Sequence, residues 1–481
     1  MGYAMSPRVL IAGAGPTGLT LAIDLARRDI PVRIIDKAAT PFAGSRGDGI
    51  QPRTLEVFDD LGVLDAILAA AAPLPLMRIH LDGALVTERR MSEPRDPSPS
   101  VPYPNPRMLG QSDTEGLLRK RLADFGVTVE FGTALADFTQ DQHGVTATVT
   151  TAGGTETVRS DYLVGADGGA SSVRRTLGIA FEGTTDESLR MLLGDVRADG
   201  LDHGFGYWFA RAETPAEGIA MTPLPGGDLF QFAAPLAHDA RPTRALLQEQ
   251  LDRMTGRDDI VLGEPVWSTV WRPNIRLARH FRSGRVLLAG DAAHAHPPTG
   301  GQGMNTGIQD AYNLGWKLAA ALDGDDGPLG TYEPERREVA RQVLGLSAEL
   351  LNKHVEGHED AMERGPETHQ LGISYRRAGD TAVLTAGDRA PDAPLLRADG
   401  SSLRLFDLFR GPHATLLSFG APADVPRGSG ERAYSIVAPD APAGPDRLVA
   451  VDGHAFADYA ATAGTRVLVR PDGYLAWHRQ G

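Results

Sequence analysis

The chain has 481 residues, a formal net charge of −14 and no cysteine. That length requires two or three hydrophobic cores, and the missing cysteines exclude disulfides, thiolate nucleophiles, cysteine-bound metal and dithiol flavin reductases. An acidic balance with no basic stretch interleaved with aromatics argues against nucleic acid or anionic membrane as a partner. The longest apolar run, residues 66–77, is interrupted by Pro73 and Pro75 and falls short of the roughly 20 residues that span a bilayer. The expectation is a cytoplasmic protein, monomer or homodimer.

In chain order, residues 8–12 read as a short apolar strand, Gly13-Ala14-Gly15-Pro16-Thr17-Gly18 fits G-x-G-x-x-G, and residues 19–28 continue as a helix. A second strand, 32–35, ends at Asp36, whose carboxylate can accept the hydroxyls of an adenosine ribose. Strand, glycine turn, helix and terminal acid together predict a dinucleotide site. Only one such fingerprint occurs, so NAD(P)H is expected to bind elsewhere and transiently.

Residues 161–166 read as a buried strand, Asp167-Gly168-Gly169 as a turn and Ser171 as the N-cap of a helix carrying Val173 and Arg174. Alone, this acid and glycine pair is mostly a turn signal. The stretch 182–281 alternates in the manner of strands: Phe205, Tyr207 and Phe209 share one face, as do Phe230 and Phe232. With Met221 they are candidate substrate contacts, and ordinary sheet core is the equal alternative.

Residues 284–320 carry the strongest signal. A strand ends at Gly290, Asp291 follows, and a loop with Gly300, Gly301 and Gly303 runs into a long helix. Glycines let a flat ring lie against the backbone. The free N–H groups near Met304 and Asn305, at the positive end of the helix dipole, favour an anion. A reduced flavin carries its negative charge at N1 and C2=O. His294 and His296 invite a metal reading, but no third ligand is near in sequence and no metal is expected. Helical patterning continues to about residue 360, loosens over 366–387, and gives way to short strands from 388 to the end.

Gly13–Gly18, Asp167-Gly168 and Gly290-Asp291 together resemble the signatures of the class A FAD-dependent aromatic hydroxylases, and the resemblance covers nearly the whole chain. Within that family the chain is most similar to the aromatic polyketide hydroxylases and the rifampicin monooxygenases. The resemblance implies an α/β fold: a discontinuous Rossmann-like FAD domain (1–72, 107–181 and 282–345) with an inserted β-sheet substrate domain (73–106 and 182–281). A helical linker (346–387) and a thioredoxin-like C-terminal domain (388–481), structural here for want of cysteines, would follow.

It also implies that FAD is reduced by NADPH or NADH and adds O2 to form a C4a-hydroperoxide, which hydroxylates an aromatic small molecule, here a polycyclic polyketide in antibiotic tailoring. Inactivation of a rifamycin-type antibiotic and Baeyer–Villiger oxygenation are the alternatives. Arg46 matches the arginine that approaches the flavin; Asp36 and Lys37 would flank the ribose. Arg107 and Gln111 match positions beside the FAD chain, Leu135 the adenine, and Asp291 the ribityl hydroxyls. The carbonyls of Pro297 and Pro298 would face C4a, and His203 is a conceivable base for a phenol proton.

Overall fold

The computed structural model describes residues 6–187, 189–297, 300–356, 358, 362–377, 379–423, 430–441 and 447–481. The chain forms two compact units: Met1–Thr54, Asp65–Glu93 and Pro106–Thr368 in the first, Leu55–Leu64, Pro94–Asn105 and His369–Gly481 in the second.

The first unit is built on a six-stranded sheet in the order Arg282–Ser283, Val286–Leu288, Tyr162–Gly165, Val9–Ala12, Val32–Asp36, Glu130–Phe131. All but the first strand run parallel. Val9–Ala12 is buried along its whole length, as an unbroken apolar strand between two parallel neighbours should be. Ile11 lies in register with Ile34 on one side and Val164 on the other.

Helix Pro16–Ala26 starts with proline at its first position, where the missing N–H is no loss. The helix Gly303–Leu322 packs on it through glycines. A Cβ at Gly307 would stand 2.4 Å from Thr17 Oγ1, and one at Gly315 would stand 2.1 Å from Asp24 Oδ2. Asp24 is fully buried; burial would raise its carboxyl, yet Arg28 and Arg27 hold it below the usual carboxylate range.

A second sheet of eight strands combines two distant segments. Its order is Val261–Leu262, Met191–Asp199, Leu229–Pro235, Thr214–Pro223, Phe205–Arg211, Leu76–Leu81, Ala84–Arg90, with Trp267–Trp271 also on Met191–Asp199. Phe205–Arg211 runs parallel to Leu76–Leu81, which joins the proline-rich first insertion to the second. Helix Arg244–Thr255, capped by the Thr243 hydroxyl at the Leu246 N–H, covers one face. Leu247 and Leu251 enter the core there with Leu192, Val196, Tyr207, Phe209 and Phe232.

In the second unit a seven-stranded sheet carries Arg432–Val437, Thr415–Phe419, Arg466–Val469 and Leu475–Arg479 side by side. The first two are parallel and the last two antiparallel, the strand order of a thioredoxin-like domain. Phe419, Tyr459, Leu417 and Ile436 fill its core. Residues 55–64 belong to this unit through charge: Arg389 forks onto Glu56, and the Gly411 N–H donates to Asp60 at 2.8 Å. The molecule is thus an α/β protein of several sheets, and among the described residues no helix is long and apolar enough to cross a membrane.

Candidate active site

The three glycine and acid signatures meet at the ends of the parallel strands. Gly13, at φ +106°, sits so close to the third strand that a Cβ would stand 2.2 Å from the Ala166 carbonyl oxygen; one at Gly18 would stand 2.0 Å from the Gly13 carbonyl oxygen. A Cβ at Gly15 would meet nothing within 4 Å. Gly15 is the N-cap of Pro16–Ala26 and brings no capping side chain. Open space in front of uncapped N–H groups suits a diphosphate, so the residues present fit a dinucleotide.

Thr17 packs against the third signature, since a Cβ at Gly290 would lie 2.5 Å from its Oγ1. Asp36 accepts from the N–H groups of Ala14 and Ala38, both at 2.8 Å, which fixes its carboxylate at the strand end. Lys37 is exposed beside it. The Thr133 N–H donates to the Asp36 carbonyl, and this brings the strand Ala134–Asp141, with Leu135 near its start, to the same edge. Asp167 caps helix Ser172–Thr176 with one oxygen, through the N–H and hydroxyl of Ser172; the other oxygen is buried without a partner.

Asp291 combines an exposed surface with a carboxyl raised by burial, against the pull of His294. A group that is both accessible and surrounded by protein lines a deep cleft. The turn that carries it is held by Asp310, which accepts from the Gly290 N–H at 3.0 Å, from His294 Nε2 at 2.6 Å and from Arg336 Nε at 2.6 Å. Burial would raise Asp310, but His294 and Arg336 hold it below the usual carboxylate range. His294 is therefore engaged with a carboxylate, and among the described residues no group of three potential ligands could hold a metal. His296 is driven down to about 3 by burial and by the neighbouring His294, so it is neutral.

Helix Gly303–Leu322 starts at the far end of the cleft with no side-chain cap. Gly301 at φ +63° and the segment bearing Arg46 close around it. The Asn305 side chain is fully occupied in tying these pieces: Oδ1 accepts from the Gln51 N–H, and Nδ2 donates to the carbonyls of Gly49 and Gly301, all at 2.8 Å. Only the backbone of Asn305 is left to meet a ligand. Gly47 lies against Met304, where a Cβ would stand 3.9 Å from the methionine Cβ.

Arg46 itself is exposed, with its guanidinium 4.6 Å from the centre of the Phe42 ring. Arg107 pairs with Ile50 in a two-residue strand beside that segment, and Gln111 opens the next helix, where its amide donates to Glu115. Pro298 lies outside the described residues.

The substrate sheet corrects one expectation. Tyr207, Phe209, Met221, Phe230 and Phe232 are between 0% and 4% exposed and pack with helix Arg244–Thr255, so they are core. Alternation put every one of them on the covered face. His203 belongs to that side too, edge-on to Phe230 with Nε2 on the Leu229 carbonyl. The opposite face meets the Arg46 segment, where Gln231 donates to the Ser45 carbonyl at 2.6 Å. One cross-strand row on that face runs Thr269, Leu193, Ala233, Ala220, Trp208, and the next runs Trp267, Asp195, Gln231, Thr222.

Two acids on this side were not foreseen. Burial pushes the carboxyls of Asp48 and Asp195 up to about 6 each, and the charge of Asp48 adds a smaller upward push on Asp195. Asp48 lies two residues past Arg46 in the same glycine-flanked motif, which was the available signal. Asp195 and Gln231 are lone polar residues in apolar strands.

Comparison with known proteins settles what this cleft belongs to. Residues 7–347 match the FAD binding domain family, and residues 384–481 match the family described as aromatic-ring hydroxylase, C-terminal. The chain is an FAD-dependent aromatic-ring hydroxylase. The hydroxylase is 45% identical to a flavin-dependent monooxygenase of Mycobacteroides abscessus, over 97% of this chain and 96% of that protein. It is 35% identical to the 12-dehydrotetracycline 5-monooxygenase/anhydrotetracycline 6-monooxygenase of Streptomyces rimosus, over 98% and 94%. Its fold is similar to that of aklavinone-11 hydroxylase in a ternary complex with FAD and aklavinone: TM-score 0.82, 28% identity, 100% of this chain and 96% of that one.

Proposed function

We propose that this hydroxylase consumes NAD(P)H and O2 to add one oxygen atom to a polycyclic aromatic polyketide. The observation that carries the reading is the floor of the cleft, where small residues, Ala233 and Ala220, stand partly exposed between Leu193 and the buried Trp208. A flat apolar floor suits a rigid fused-ring substrate better than a small, charged one. The names of the relatives that act on tetracycline precursors and aklavinone support the same class.

FAD, reduced by the nicotinamide, supplies the activation of O2. The chain supplies the rest. The N–H groups behind Gly15 hold the diphosphate, and Asp36 orients the adenosine ribose with Lys37, Arg107, Gln111 and Leu135 around it. Asp167 and Asp291 meet the chain between the two ends. Gly301, Gly303 and the N–H groups of Met304 and Asn305 would hold the ring and favour negative charge there. Arg46 would help to orient the ring.

Asp48 takes the phenol proton as the ring carbon is attacked, since a carboxyl near 6 is ionised at neutral pH and is still basic enough to accept one. It replaces His203, which sits on the wrong face of the sheet. The test is to offer the purified yellow protein a panel of aromatic polyketides. Nicotinamide oxidation stimulated by one of them, with a product heavier by one oxygen, is the expected result. Flavin reduction without any oxygenated product would defeat the reading.

A further inference from the structure

Two aromatic rings shape the backbone that leads to Arg46. Gly44 is buried and does not adopt a positive φ, so its conformation does not call for glycine. Space does. A Cβ at Gly44 would stand 2.5 Å from Trp267 Cγ, 2.6 Å from Trp267 Cδ2 and 2.8 Å from Phe42 Cζ. Beside this backbone the two rings meet in a T, with centroids 5.5 Å apart and planes at 86°, an arrangement that aromatic quadrupoles favour. The Arg46 guanidinium lies 4.6 Å from the centre of the Phe42 ring. Trp267, Phe42 and Arg46 thus form one chain of contacts.

Trp267 is rooted in the substrate sheet. It stands across from Asp195, which stands across from Gln231, so the three form one row on the cleft side. Gln231 fixes the next residue of the segment, through the Ser45 carbonyl at 2.6 Å. Residues 44 and 45 therefore rest on the sheet at two points immediately before Arg46. The Arg46 side chain has no comparable fixture. It is exposed and makes no hydrogen bond or ion pair among the described residues, so the Phe42 face is what holds its guanidinium. Phe42 and Trp267 are only half-buried. A leucine at either position would cover the same surface, but it would offer the cation no ring.

We propose that Phe42 and Trp267 are positioning residues for Arg46: the indole braces the phenyl ring, and the phenyl face sets where the guanidinium stands. The inference rests on the reading that Arg46 meets the flavin ring. It adds that the substrate sheet, through Trp267, fixes the approach of that arginine. A displacement of about 1 Å at such a group can cost on the order of a hundredfold in rate.

The experiment compares Phe42→Leu, Phe42→Tyr, Trp267→Leu, Trp267→Phe, Arg46→Ala and the double variant Phe42→Leu/Arg46→Ala as full-length protein. It reads FAD affinity by titration and kcat for substrate-dependent nicotinamide oxidation. Phe42→Leu should loosen FAD about three- to tenfold and lower kcat about 10- to 100-fold, because the guanidinium loses its resting face. Phe42→Tyr keeps that face and should retain most of both. Trp267→Leu should show the same losses at smaller size, and Trp267→Phe should recover part of them. With Arg46 already replaced by alanine, Phe42→Leu should change neither quantity further, because both changes remove the same placement.

Losses that multiply in the double variant, or wild-type FAD affinity in either leucine variant, would overturn the proposal while leaving Arg46 at the flavin. A Phe42→Tyr protein as impaired as Phe42→Leu would overturn it too. A fully active Arg46→Ala enzyme with unaltered FAD affinity would overturn both readings together. If Trp267→Leu fails to fold, Trp267→Phe and Phe42→Leu, the latter outside the sheet, must still show the losses and the non-additivity with Arg46→Ala.

Discussion

The two faces of the substrate sheet are made by the same strands and have opposite characters. One carries Tyr207, Phe209, Phe230 and Phe232 under helix Arg244–Thr255. The other carries Asp195, Gln231, Ala233, Ala220 and Thr222, with Trp208 and Trp267 at its margins, and looks onto the Arg46 segment. The phenyl and phenol rings went where burial stabilises most, and the centre of the opposite face kept small and polar residues. The general lesson is that in a sheet covered on one side, a row of aromatics marks the core, whereas the functional face shows itself by gaps and isolated polar residues.

The largest contrast comes from the covered face. Phe232→Ala should destabilise the first unit by about 3–5 kcal/mol through loss of burial and cavity formation. Urea unfolding checks this, and the KM for the aromatic substrate of the fraction that stays folded should be unchanged. A rise in KM at equal folded fraction would mean that the aromatic face does reach the substrate.

Next is Asp48→Asn, expected to lower kcat by about 10²- to 10³-fold as a lost proton acceptor. The wild-type rate should climb with pH through about 6, where the Asp48 carboxyl ionises, and the variant should lack that limb. A retained limb would place the base elsewhere.

Asp195 gives a smaller effect that reads in stability. Its folded pKa, about 6, lies above the ordinary value of 3.8 because of burial. Below the ordinary value both states are protonated. As pH rises through the folded value the unfolded chain ionises first, so stability is lost, by about 2–3 kcal/mol at most. Wild-type stability should therefore decline from pH 4 to 6, and Asp195→Asn should flatten that decline. Identical slopes in the two proteins would show that Asp195 is not desolvated in the folded state.

The smallest effect is Ala220→Leu on the cleft floor. The larger side chain should raise KM for a fused-ring substrate about tenfold, the equivalent of about 1.4 kcal/mol, and leave the thermal midpoint nearly unchanged. Unaltered KM would move the substrate off this row.

The nucleotide-binding half was legible in the residues because it relies on local chemistry. Gly13 and Gly18 are demanded by backbones that approach within a bond length or two of a Cβ, Gly290 by the Thr17 side chain, and Asp36 by a strand end whose neighbouring N–H groups need an acceptor. Each such signature is a few residues long, even where the partner it meets, Ala166 for Gly13 or Thr17 for Gly290, comes from a distant segment. Period-two alternation likewise announced the strands of the substrate sheet. It could not announce which face would be covered, because that depends on where helix Arg244–Thr255 docks.

The same limit applies to Asp310, whose partners His294 and Arg336 come from different segments, and to Ser45, whose carbonyl accepts from Gln231, 186 residues away. Residues 55–64 follow the nucleotide-binding helix in sequence, yet group with the C-terminal unit through Glu56, Asp60 and their partners. The sequence by itself determined the fold class, the cofactor and the kind of chemistry, because glycine and acid spacing encodes close approach and charge at short range. Only the tertiary structure decided which side of the sheet is covered, since that is chosen by long-range packing that no local pattern contains.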